Sequence, residues 1–103
     1  MKHAFGLTES IALERCHHLI EATRPYVERH NDEIFMGYPN TTLTRKQMME
    51  LVQYRLTLGN VKKFGGFPNV SLPPAPSFCV EARALEIQFG QQDALLELES
   101  LKA

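Results

Sequence analysis

Glu14-Arg15-Cys16-His17-His18 is the stretch of this chain best supplied with chemically useful side chains. Glu14 and His17 have the Glu-x-x-His spacing of carboxylate-bridged di-iron bundles, and Glu14 to His18 and His17 to Glu21 are each one helical turn apart. A metal-dependent enzyme would follow if facing helices added a second such motif and further carboxylates. The sequence offers no second motif. Cys16 falls on the apolar side of the same helix, away from both histidines, which removes a mixed Cys/His zinc site. The expected role of Glu14, His17, His18 and Glu21 is a solvated face with intrahelical ion pairs. A metal-dependent enzyme ranks third among the functions considered, and no catalytic residue, metal or cofactor is assigned.

Cations mixed with aromatics and glycines make the second constellation. Lys62-Lys63-Phe64-Gly65-Gly66-Phe67 suits phosphate or exposed bases, and Arg45, Lys46 and Arg55 could add charge to it. The string lacks the Gly-Lys-Ser/Thr ending of a P-loop and the patterned glycines of a dinucleotide site. Arg45, Lys46, Arg55, Lys62, Lys63, Phe64 and Phe67 are therefore the candidate ligand-binding set for the second function considered, capture of a nucleotide or other phosphorylated molecule. Lys and Arg total 11 against 12 Asp and Glu, so no global field draws in nucleic acid or an anionic membrane.

The elements that must position these residues are mostly helical. At 103 residues, 44% of them apolar and 22% charged, the chain is expected to fold as one soluble domain spanning 1–103. Thr8 signals the N-cap of a helix over about 9–22, with Ala12, Leu13, Cys16, Leu19 and Ile20 on one arc. Pro25 predicts a kink or a restart, giving a second helix over about 24–36 that Gly37 and Pro39 end. His30 lies among Tyr26, Val27 and Ile34 and is expected to be a hydrogen-bonded core histidine. Thr44 and Gln47 fit a capping box for a third helix over about 45–58, with Gly59 supplying a left-handed end. Arg55 falls inside its apolar arc. The stretch 59–77 is a long loop rich in glycine and proline.

Beyond Ser77 the pattern is double. Phe78, Val80 and Ala82 alternate like a strand that could pair with Phe67–Leu72, giving an α+β fold with a hairpin at about 64–89, yet Glu-Ala-Arg-Ala-Leu-Glu favours helix. The favoured reading is a helix over about 78–101, with Gly90 offering a break, in a mainly α domain of three to four helices. Such a helix is apolar on two opposite sides, Leu85, Phe89 and Leu96 against Ile87, Ala94, Leu98 and Leu101. A chain this short cannot cover both, so Leu85, Ile87, Phe89, Leu95, Leu98 and Leu101 are expected to form an oligomer interface. Met36, Met48 and Met49 suggest an adaptable apolar surface.

Cys16 and Cys79 are isolated thiols without a CxxC, as in a reduced cytoplasmic protein, and no secretory leader or membrane span is read in the sequence. The leading functional expectation is a small non-enzymatic regulator or adaptor, homo-oligomeric, that binds a protein partner.

Overall fold

The computed structural model describes residues 8–63 and 72–102. Among them are three α-helices, α1 (Glu9–Phe35), α2 (Arg45–Gly59) and α3 (Val80–Lys102), with a short 3-10 turn at Val61–Lys63 and no strand. The mainly helical expectation holds. The strand alternative fails because the segment from Val80 onward is a continuous helix, which also runs through Gly90 without a break. Phe64, Phe67 and the middle of the expected loop, 64–71, lie outside the described residues.

Local chemistry sets the helix ends. Thr8 accepts the Ile11 amide at 3.2 Å to start α1. At its other end Gly37 takes φ +72, the Gly37 amide donates to the Ile34 carbonyl, and the Tyr38 amide donates to the Glu33 carbonyl, both at 3.0 Å. That is a Schellman closure, and it requires the left-handed glycine. At the start of α2 the capping box forms as expected, with the Gln47 amide donating to Thr44 Oγ1 at 3.1 Å and the Thr44 amide donating to Gln47 Oε1 at 2.9 Å. Gly59 plays a different part from the one expected. It stays in the helix, and Asn60 ends α2 instead, its amide and its side-chain nitrogen both donating to the Leu56 carbonyl.

Pro25 gives the larger correction. Of the kink or restart expected there, the restart as a second helix over about 24–36 does not occur, and α1 is a single helix of 27 residues. Proline removes the amide that would bond the Glu21 carbonyl, but the ring is exposed, so water reaches the group it leaves unpaired. On the buried side, Thr23 is no cap. It is fully buried and donates its hydroxyl to the Ile20 carbonyl at 2.8 Å.

α1 is the central element and packs on both α2 and α3. The core joins Cys16 and Leu19 of α1, Leu51, Tyr54 and Leu58 of α2 and Ala82 of α3, with Val61, Ala75 and Cys79 from the connection. α3 runs antiparallel to α1: Arg15 pairs with Asp93 at 2.9 Å near one end, and Tyr26 donates to Glu81 at 2.6 Å near the other. Glu86 draws the connection down by accepting the Ala75 amide at 2.7 Å and the Tyr54 hydroxyl at 3.3 Å. Arg83 holds the Ala75 carbonyl at 3.2 Å. No helix among the described residues is long and apolar enough to cross a membrane.

Glu33 fixes the turn between α1 and α2. Its carboxylate is buried and accepts both the amide and the hydroxyl of Thr42, at 2.8 and 2.7 Å. The Thr42 hydroxyl and amide, with Arg29 alongside, hold this carboxyl below its ordinary value of 4.5. A depressed folded-state pKa stabilises above the unfolded value, and the gain is lost as pH falls through the folded one. Unfolding midpoints are therefore expected to drop as pH is lowered below about 4.5. Glu33→Gln should be less stable at neutral pH and show a shallower acid limb, as read by urea titration at several pH values.

Candidate functional site

The five candidate cations do not converge. Arg45 and Lys46 begin α2 and Lys62 and Lys63 follow its end, so roughly 20 Å of helix separates the two pairs. Arg55 lies between them and faces α1, where its Nη1 donates to the Ile20 carbonyl and to Thr23 Oγ1, each at 2.7 Å. Its place in the apolar arc was legible in the helical spacing. Its partners were not, because they are a backbone carbonyl and a hydroxyl of α1 rather than a carboxylate or an anion. Lys62 and Lys63 are exposed.

On the polar side of α1, Glu14, His17 and His18 are exposed, and the two imidazoles lie 6.3 Å apart. Glu21 is paired with Arg24, which places a cation beside the carboxylate that a metal would need. No group of three metal-ligating side chains occurs among the described residues. Elemental analysis of the purified protein is expected to find well below one transition metal per chain, with no change on His17→Ala. Both cysteines are buried. Burial raises the Cys16 thiol, and burial followed by Glu81 and Glu50 pushes Cys79 up to about 11, so neither is a thiolate nucleophile at neutral pH.

Two exposed apolar surfaces stand out instead. The first is an open groove of about 700 Å³ between the C-terminal half of α1 and the length of α2. Ile34, Met48, Met49, Val52 and Leu56 form its apolar wall, with His30 and Arg45 among its polar residues. The methionine surface expected from the sequence supplies two of these. His30 differs from the expected hydrogen-bonded core histidine: it is half-buried outside the core, and its Nδ1 is buried without a hydrogen-bond partner. Arg45 makes no hydrogen bond or ion pair, and the first turn of α2 carries no acidic residue.

The second surface is the outer face of α3. Leu85 and Phe89, two of the six expected interface residues, are half-buried against the core, with the Arg15 guanidinium 5.0 Å from the Phe89 ring centre. They belong to the inner face. Ile87, Leu95, Leu98 and Leu101 remain outside, 65%, 60%, 53% and 83% exposed. Val80, Ala84, Gln91 and Ala94 are exposed as well, and Val80, Ala84, Ile87, Gln91, Ala94, Leu98 and Leu101 succeed one another by alternating steps of four and three. That repeat averages 3.5 residues, the spacing of a coiled-coil seam, with one polar residue in it. Val80, Ala84 and Gln91 were missed in the sequence because the expected interface was read from the large apolar side chains of residues 85 to 101.

Comparison with protein families, curated proteins and solved structures finds no match to this chain.

Proposed function

We propose that the chain is a small non-enzymatic adaptor that assembles with copies of itself through the outer face of α3 and presents its remaining surface to a protein partner. The observation that supports this reading is the exposed 3.5-residue repeat along α3, whose large side chains are left half or more exposed by the described residues. Magnitudes favour an assembly that is real but adjustable. Complete burial of an aliphatic side chain is worth about 1.5–3 kcal/mol, and Val80, Ile87, Leu95, Leu98 and Leu101 are each about half to four-fifths exposed. A pair of such faces then gains about 10–20 kcal/mol, which is of the same order as the roughly 4–15 kcal/mol cost of association. Assembly should follow protein concentration, and Gln91 in the seam favours one register at some cost in affinity.

Light scattering after gel filtration tests the reading. At about 50 µM, above dissociation constants of micromolar order, the mass should be at least twice that of the 11.7 kDa chain and should fall on dilution. A phosphorylated small-molecule ligand is the weaker alternative, since Arg45 and Lys46 are separated from Lys62 and Lys63 by the length of α2 and Arg55 is engaged with α1.

A further inference from the structure

We infer that the groove between α1 and α2 is the docking site for an amphipathic helix of a partner protein, one that carries acidic residues at the end lying over Arg45. The inference deepens the adaptor reading and rests on its claim that a protein partner exists, but it uses a different face from the α3 seam. From Arg45 to Leu56 the groove follows α2 for about 16 Å, three helical turns, which matches a ligand helix anchored at i, i+4 and i+7. Its two methionines are unbranched and can repack around such anchors.

Charge decides the kind of helix. Arg45 stands at the first position of α2 with no carboxylate to meet it among the described residues, and that helix end is itself the positive pole of the backbone dipole. Lys46 follows it, exposed and likewise without an ion pair. A carboxylate from outside would be attracted by all three. The extent of the apolar surface points to a macromolecule rather than a small amphiphile, because exposed side chains continue beyond Ile34 at the end of α1, with Phe35 88% and Met36 67% exposed.

The probe is a displayed library of helical peptides about four turns long, apolar at i, i+4, i+7 and i+11 and free elsewhere, selected against the whole chain. Enriched peptides should carry Asp or Glu near one end and shift the methyl resonances of Met48 and Met49. Arg45→Glu should weaken them by about 10-fold or more, and Leu56→Glu, at an exposed position that leaves the core intact, should abolish binding. The same titrations on Leu98→Glu, with the α3 face disrupted, should give unchanged affinity, so that failure of docking and failure of self-association are read separately. No enrichment, enriched peptides without acidic preference, or shifts at Met48 and Met49 produced by sodium decanoate alone would each overturn the inference.

Discussion

Arg55→Ala should lower the unfolding free energy by roughly 2–3 kcal/mol, because it removes two charge-assisted hydrogen bonds from a partly buried site. Pro25 withholds its amide from the Glu21 carbonyl, and beside that carbonyl the Ile20 carbonyl accepts from the Thr23 hydroxyl and, across the interface, from Arg55. One nitrogen thereby ties α2 to α1 just before Pro25. Arg55→Lys keeps the charge but ends one bond short of that nitrogen, so it should recover only part of the loss. For a domain of this size the Ala variant should melt on the order of 10 °C lower. Urea unfolding followed by circular dichroism measures this directly, and a change under about 0.5 kcal/mol would mean that the contact contributes nothing net.

That contact also marks where sequence reasoning runs out. Short-range signals were legible: Thr8, the Thr44–Gln47 box and Gly37 each act where residue type and spacing put them. Arg55 was legible as a charge inside an apolar arc. Its acceptors were hidden, because a backbone carbonyl and a hydroxyl on another helix have no signature in the sequence around Arg55. Pro25 misled because its exposed position lets solvent meet the carbonyl it leaves unpaired, and exposure is set by packing. In α3 the two apolar faces were visible, but only the packing of Leu85 and Phe89 against the core separates an inner face from an outer one. The groove was legible only as a surplus of methionines. Its shape depends on how α1 and α2 cross.

The second large effect is expected at Leu98. In an assembly through the outer face of α3, Leu98→Glu removes two half-exposed leucines from the contact and puts carboxylates in or beside the seam. The combined penalty is at least about 3 kcal/mol, or more than 100-fold in the dissociation constant. The folded chain itself should be little affected. Leu98 is 53% exposed and lies outside the core, and an exposed Glu is a good helix former. Leu85→Ala would act in the opposite sense, lowering stability first, because that side chain packs inward.

Sedimentation equilibrium on the wild type and on Leu98→Glu, at matched concentrations and with circular dichroism confirming equal helicity, is the most direct test of assembly through α3. The wild type should sediment as a dimer or larger and Leu98→Glu as a folded species of 11.7 kDa. A monomeric wild type, or a variant with full helicity and undiminished mass, would contradict the proposed role of that face.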